Sequence, residues 1–428
     1  MSRPFLLYGP AVPRALCGCC TLLCLALLLV VILIVSNVFV STVGPADLIP
    51  ALETTKSFKV IIVGAGTAGL YTAYTLEKLG WDYELLEATN VYGGRVRQVE
   101  AGGFVDVPVD VGAEWLHVDP TILQDLMLFD NETVTDETIV FAPQTYGFYV
   151  RGKSRARNFA RYFAEEEFKF FNSTWYTYLD DYIVPYLDPN KIHLNSPVDL
   201  IDYSTDGGVT VTLQDGVTTY SGDKVVVAVP LPLLVEEEMV FNPPLPSPVT
   251  TALSSVEWQP GFKVFVEFSH RFYRDMSVPF SLWHQLFGTV DGEEIYFDAM
   301  FGKATDRHVM GILVVGGVAA PFLEGVYTNS PSDQEIIFGR LLKKLDDMFE
   351  GQASRYHVKH MVQNWSGERW IGGAYTAQSE WDRQPVVDGV AGKVFFAGEH
   401  MAPFDMSTVH GAALSGRQAV NAIITAES

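Results

Sequence analysis

Residues 60–88 read VIIVGAGTAGLYTAYTLEKLGWDYELLEA, and three glycines, Gly64, Gly66 and Gly69, crowd one turn inside that stretch. Val60 to Val63 form a short β-branched apolar run of the kind that makes a buried parallel strand, whereas Leu70, Ala73, Tyr74 and Leu76 to Leu79 recur near helical spacing. The glycines therefore fall where a strand turns into a helix. There G-x-G-x-x-G has a mechanism: Gly64 permits a sharp turn, Gly66 a close backbone approach to a pyrophosphate, and Gly69 tight helix–strand packing, with the phosphates at the positive helix N-terminus. Glu87 follows 23 residues after Gly64, at the end of a second strand, YELLE, where an acid can hold ribose hydroxyls. Strand, turn, helix, strand and acid in this order predict a dinucleotide site. Which dinucleotide is open at this point.

The chain has 428 residues, enough for two or three domains, and a formal net charge of −22. Arg3 and Arg14 are the only charged residues before Asp47, so the remainder carries −24. That balance argues against a nucleic-acid partner, because phosphate binding needs clustered Lys and Arg. An acidic surface can steer cationic substrates or simply keep a protein soluble. The runs Glu165 to Glu167 and Glu236 to Glu238 read as solvated faces.

No charge occurs between Arg14 and Asp47, and Thr21 to Val35 is almost continuously apolar. A bilayer span needs roughly 20 such residues, and VSNVFVSTVG (35–44) is a poor cleavage site for a signal peptide. The reading is a short cytoplasmic tail (1–20), a transmembrane signal anchor (21–42) and a linker (43–57). With Arg3 and Arg14 ahead of the span, the rest of the chain is expected in a lumen or outside the cell, or secreted if the segment is cleaved. All four cysteines, Cys17, Cys19, Cys20 and Cys24, lie in or beside this segment, so the folded part has no disulfides. They lack the separated ligand pairs of a zinc site, and no metal is expected; packing or palmitoylation suits them better. Asn131, Asn172 and Asn364 open glycosylation triplets.

Residues 121–187, rich in Phe, Tyr and Glu, read as mostly helical. From His193 the pattern changes to strands, VTVTLQDG and KVVVAVP, and a further sheet region runs from Val264 to about Gly317. A helix near 332–349, a strand and loop to Tyr375, the strand KVFFAG and a helix HGAALSGRQAVNAII with small residues on one side complete the chain. The strands that join the first nucleotide strand are thus scattered, and a second domain is built from insertions.

Past Glu87 the chain continues ATNVYGGRVRQ, and a glycine pair with an arginine there is not part of the ordinary nicotinamide pattern. Here the sequence resembles the flavin-containing amine oxidases, which include monoamine oxidases, polyamine oxidases and related histone demethylases. The resemblance covers residues 58–424 in eight ordered blocks: VIIVGAGTAGL, LLEATNVYGGRVR, VDVGAEWLH, NSPVDLIDY, VVVAVPLPLL, GFKVFVEF, NWSGERWIGGAYT and VFFAGEHMAPFDMSTVHGAALSG. It implies an α/β fold: a Rossmann-like FAD-binding domain of the amine oxidase and glutathione reductase type (58–120, 193–246 and 385–428) with an inserted α+β substrate domain (121–192 and 247–384).

The resemblance also assigns residues. Gly93, Gly94 and Arg95 would meet the pyrophosphate, Arg95 as the bidentate anion partner. The backbone of Gly112, Ala113, Glu114 and Trp115 would lie beside the isoalloxazine ring, and that of Val198 at adenine. Gly398 and Glu399 end the FFAG strand, with Glu399 on the ribityl chain, and Val409 offers an N–H at the pyrimidine end. Lys263 in GFKVFVEF would hold a water at flavin N5; strand alternation puts it on one face with Phe265 and Glu267. Tyr375 would wall the approach of the amine, with Trp365 on the same loop. Thr408 stands where monoamine oxidases complete an aromatic cage, and His117 matches a histidine beside the site of polyamine oxidases. Ala374 replaces the cysteine that tethers the flavin in monoamine oxidases, so the FAD is expected to be non-covalent.

The activity implied is oxidation of a primary or secondary amine, polyamines favoured, to an imine, with dioxygen as acceptor and hydrogen peroxide as product. One rival keeps the flavin but acts as a desaturase or isomerase on a lipid, carotenoid or fatty acid, because fold alone does not settle function. Another is a non-catalytic binding protein on the same fold, as in the guanine-nucleotide dissociation inhibitors. No oligomeric state follows from the sequence.

Overall fold

The computed structural model describes residues 56–129, 133–150, 153–156, 167–236, 238–279, 292–377, 381–402 and 405–427. The apolar segment 21–42, the four cysteines and Asn131 lie outside these residues. Among the described residues no helix is long and apolar enough to cross a membrane. Those from Lys56 onward belong to one compact unit.

The turn at Gly64 to Gly69 joins β1 (Lys59–Val63) to α1 (Thr67–Leu79), and β2 (Asp82–Leu86) returns beside β1 in parallel, as the sequence pattern requires. Strand Lys224–Val227 pairs with the other edge of β1, Val394–Phe396 lies beyond it, and Ile192–His193 closes the far side of β2. The result is a five-stranded parallel sheet assembled from four distant stretches of chain. Val60, Ile61 and Ile62 are fully buried within it, each side chain contributing about 1.5–3 kcal/mol of burial. On one face α1 packs on the C-terminal helix Val409–Ala426, where an added Cβ at Gly416 would stand 2.4 Å from the Ala68 carbonyl oxygen. The small residues of HGAALSG let the two backbones touch. The opposite face shares a core with a four-stranded sheet, Ile61, Val63 and Val225 packing with Ile201 and Val211.

A seven-stranded sheet forms the other half. Its order is His357–Asn364, Gly261–Phe268, His308–Val315, Glu293–Asp298, Met276–Pro279, Tyr146–Val150 and Lys153–Ala156. Helix Pro331–Phe349, capped by the Ser330 side chain accepting from Asp333 N, covers one face, and Phe262, Val264, Val266 and Phe268 pack in the core it closes. Phe265 points to the opposite side, in a cluster with Phe297 and Val309. The alternation read from GFKVFVEF thus holds, and it turns Lys263 inward.

The helical reading of 121–187 fails. Strands Thr138–Phe141, Tyr146–Val150, Lys153–Ala156 and Glu167–Phe170 occupy much of its described part, with helices only at Ile122–Asp125, Trp175–Tyr182 and short 3-10 turns. TIVF, YGFYV and EFKF combine β-branched and aromatic residues suited to a pleated surface. Their partners are non-local: Thr138–Phe141 pairs with Glu167–Phe170, and Tyr146–Val150 runs parallel to Met276–Pro279. Aromatic spacing along the chain could not reveal that pairing.

Candidate active site

One cavity of about 860 Å³ runs from the glycine turn to the inner face of the seven-stranded sheet. At its first end are Gly64, Gly66 and Thr67, with Glu87 and Gly94 beside them. Gly66 caps α1 without any side-chain bond to the helix N-terminus, and a Cβ added to it would meet nothing within 4 Å. The leading N–H groups of α1 are therefore open to an anion in the cavity. Glu87 is buried; its Oε2 accepts from Ala65 N at 2.9 Å and its Oε1 from Thr89 N, which fixes the carboxylate below the turn. Gly69 does not line the cavity. A Cβ there would stand 1.9 Å from the Gly64 carbonyl oxygen, so Gly69 serves the close helix–strand packing read from the motif. Val198 borders a small adjoining pocket with Gly64, Glu87 and Val229.

The middle of the cavity is held by Arg95 and Glu399, 304 residues apart. Arg95 Nη1 donates to Glu399 Oε1 at 3.0 Å and to Ala374 O at 2.8 Å, and the guanidinium lies 4.8 Å from the centre of the Trp258 ring. Glu399 also accepts from Thr376 Oγ1 at 2.6 Å, Thr376 N at 3.2 Å and Ser407 N at 3.0 Å. Burial pushes this carboxyl up, but Arg95 and the hydrogen bonds outweigh it and hold the pKa below the usual range. Gly398, Thr408 and Val409 line the same region. Thr408 is the N-cap of the C-terminal helix, accepting from Gly411 N and donating to Asp405 O. Its hydroxyl serves the cap.

At the far end Lys263 is 2% exposed. Its Nζ donates to Asp110 O at 2.9 Å, Gly112 O at 3.1 Å and Glu114 Oε2 at 2.6 Å. The other Glu114 oxygen pairs at 2.6 Å with Lys169, which is 1% exposed. Burial raises the Glu114 carboxyl, yet Lys169 and Lys263 pull it down to about 2. Asp110 moves the other way, up to about 8, through burial and the negative charge of Glu114. Trp365, buried, donates from Nε1 to Val111 O and fixes the same backbone. Gly112, Ala113 and Trp115 complete this wall.

Tyr375 lines the cavity and donates its hydroxyl to Glu293 Oε2 at 3.0 Å; burial, then Glu293, keep the phenol protonated far above its ordinary range. His117 is exposed, its Nδ1 2.9 Å from Glu167 Oε2. Glu167 was read as part of a solvated run; it stands on a strand and borders the cavity. Asn172 is exposed, whereas Asn364 is buried and donates to Thr328 O, as expected of a position unsuited to glycosylation.

The sequence description "Flavin containing amine oxidoreductase" matches residues 161–424, more than half of the chain. The chain belongs to the flavin-containing amine oxidoreductase family. A second description, "NAD(P)-binding Rossmann-like domain", covers residues 62–127. The chain is 28% identical to human (Homo sapiens) lysine-specific histone demethylase 2 across 89% of its own length and 55% of the relative's. It is 27% identical to polyamine oxidase 1 of Zea mays over 58% of its length and 48% of the relative's, and 23% identical to polyamine oxidase 4 of Oryza sativa subsp. japonica over 86% and 89%. The chain thus spans about half the length of the curated relatives it matches first. The solved structure of a putrescine oxidase variant with redesigned cofactor binding superposes with a TM-score of 0.64 at 15% identity, covering 86% of this chain and 99% of that one, which bears on the fold alone.

FAD is the cofactor of this family member, and the residues present fit it. The open α1 N-terminus, the unobstructed Gly66, the buried Glu87 and a cavity extending past Arg95 and Glu399 match a dinucleotide with a long second half. The sequence motifs did not reveal Lys169, Glu167, Glu293 or Thr376. Only the alternation in EFKF, with Glu167 and Lys169 on one face, carried a signal.

His400 is buried beside Glu399, with no hydrogen-bond partner at either ring nitrogen among the described residues. Burial lowers its pKa from 6.5 to about 4. A base whose folded pKa is depressed adds stability above its unfolded pKa and loses it as pH falls. The holoprotein is therefore expected to lose up to about 1.4 kcal/mol per pH unit between 6.5 and 4. Urea unfolding of wild type and His400→Leu at pH 7 and 5 checks this: the variant should show a much smaller drop, and equal drops would refute it.

Proposed function

We propose that the protein is an FAD-dependent amine oxidase acting on amines that carry a second cationic centre, such as polyamines. The observation that carries this reading is the pair of carboxylates, Glu293 and Glu167, on the wall of the cavity that leads to Lys263. FAD, when bound, supplies the two-electron acceptor that turns an amine into an imine and passes the electrons to dioxygen as hydrogen peroxide. Glu87, the α1 N-terminus, Arg95 and Glu399 would hold it. Tyr375 offers an aromatic face to the amine, and Glu293, held at the Tyr375 hydroxyl, supplies an acceptor for an ammonium group. The aromatic and aliphatic side chains of Trp115, Phe141, Ile295 and Leu313 exclude water from the approach. No strong side-chain base is required, because a free amine can be selected from solution.

The carboxylates count against a lipid substrate, for which an apolar passage would suffice. The apolar segment 21–42 supports a membrane-anchored protein with its catalytic part lumenal or extracellular.

The decisive experiment mixes the purified protein anaerobically with 1,4-diaminobutane, longer polyamines, monoamines and polyunsaturated fatty acids, and follows the flavin absorbance. Bleaching by an amine, with recovery and peroxide release in air, supports the reading; a flavin that no amine bleaches refutes it. Glu293→Gln should raise KM for 1,4-diaminobutane about tenfold, the loss of roughly 1.4 kcal/mol from one charge-assisted contact, while leaving n-butylamine nearly unchanged. Equal effects on both amines would remove Glu293 from substrate selection.

A further inference from the structure

Lys263 and Lys169 share one carboxylate. Glu114 Oε2 lies 2.6 Å from Lys263 Nζ and Oε1 lies 2.6 Å from Lys169 Nζ, all three side chains being at least nine-tenths buried. Contacts this short are charge-assisted. Neither lysine is loosely placed: Lys263 gives its remaining donors to Asp110 O and Gly112 O, and Lys169 donates to Ala299 O. The Lys169 ammonium also lies over the rings of Trp115, Phe141 and Phe297 at 5.1, 5.7 and 5.5 Å. Phe297 faces both cations, with Lys263 Nζ 5.8 Å from its centre. Glu114 and Lys263 line the cavity, whereas Lys169 stands behind them.

Three protein acceptors saturate the three N–H bonds of the Lys263 ammonium. These contacts pin the ammonium beside the cavity. A carboxylate answering one lysine would make a neutral pair. Answering two, it leaves these three side chains with one unit of positive charge in a buried position, where charge acts over several ångströms with reduced screening.

We propose that Glu114 and Lys169 are positioning residues for Lys263: the shared carboxylate fixes the Lys263 ammonium, and Lys169 supplies the uncompensated positive charge that favours the electron-rich, reduced form of bound FAD. This rests on FAD binding in the cavity but not on the identity of the amine. Asp110, Lys303 and Asp298 face the same cluster, Asp298 being also paired with Arg271, and the variants below leave all three untouched.

The test is the midpoint potential of the FAD-loaded protein, equilibrated with dithionite and a reference dye so that no amine is involved. Lys169→Met removes one positive charge, and the potential should shift to a lower value. Lys169→Arg keeps the charge and should leave it near wild type. Lys169→Met combined with Glu114→Gln restores the net charge of the cluster and should bring the potential back. A potential unmoved in K169M, or a double variant as low as K169M, overturns the proposal, since loss of packing at Lys169 alone would not be restored by an isosteric loss of charge at Glu114. Unfolding of the ligand-free proteins gives an independent reading: the double variant should lose less stability than the sum of the two single losses, and additive losses would refute the shared-carboxylate arrangement. If K169M does not retain FAD, K169R and the double variant still decide, a wild-type potential in both being expected and a lowered one in either refuting it. A wild-type protein that bleaches with no amine but shows the predicted shifts would defeat the amine reading and leave this inference standing; one that binds no FAD would defeat both.

Discussion

Arg95→Met is expected to yield a colourless protein that is also markedly less stable than wild type. Arg95 is the cation facing the buried Glu399, at 3.0 Å, and both line the middle of the cavity. Glu399 is buried and Arg95 partly exposed; removing the cation leaves the carboxylate's charge uncompensated, which in a fully buried pair costs about 3–5 kcal/mol. Here the lower end applies, because Thr376 N, Thr376 Oγ1 and Ser407 N still donate to the carboxylate. The FAD loss has a separate cause: the guanidinium is the group suited to bind a pyrophosphate in two-point fashion. The two effects can be separated. Adding Glu399→Gln should recover much of the stability without recovering the flavin.

The direction of pH dependence gives a further check. Glu399 has a depressed folded pKa, so its stabilisation is present above the unfolded carboxylate range and is lost as pH falls through the folded value. The gap in unfolding free energy between wild type and Arg95→Met should therefore narrow at acidic pH. An Arg95→Met protein with wild-type melting temperature and a full flavin spectrum would show that neither role belongs to Arg95.

Lys263→Met is expected to slow the return of the reduced protein to its oxidised spectrum in air by about 10²–10⁴-fold, the range for a well-placed proton-handling or charged group. Its effect on anaerobic bleaching by amine should be much smaller. Stopped-flow absorbance separates the two half-reactions. Methionine keeps the length of the side chain and its contact with Phe265 and Phe297, so the change is mainly in charge and hydrogen bonding. The Asp110 and Gly112 carbonyls would lose a donor, and Glu114 would keep only Lys169. Reoxidation at the wild-type rate would assign Lys263 a purely structural part, pinning the segment 110–112 to the seven-stranded sheet.

The dinucleotide end of the site was legible because its determinants are local. Gly64, Gly66 and Gly69 act within one turn, and the β-branched run, the helical spacing and the acid after the second strand are read along a few residues of chain. The two-faced alternation along GFKVFVEF was legible for a related reason, since it holds whatever lies opposite, but only the resemblance pointed to a role for Lys263. The aromatic and acidic stretch 121–187 was not legible. Its strands acquire their identity from partners such as Met276–Pro279, more than a hundred residues away. A charge on such a strand is exposed or buried according to what the sheet brings against it. Glu167 therefore read as the end of a solvated run, although it borders the cavity and Lys169, two residues on, is among the most buried of the described residues.

The chain's local chemistry specifies a strand–turn–helix cradle for a dinucleotide, an alternating strand that carries Lys263, and motif blocks in the order of an amine oxidoreductase. Contact between distant segments specifies the rest: Arg95 against Glu399 across 304 residues, Glu114 against Lys263 across 149, and Tyr375 against Glu293 across 82. Backbone conformation responds to neighbours within a turn or a pleat, so it can be read from spacing. The partner of a buried charge is chosen by strand register and by which sheet faces which, and neither is written in any single stretch of sequence.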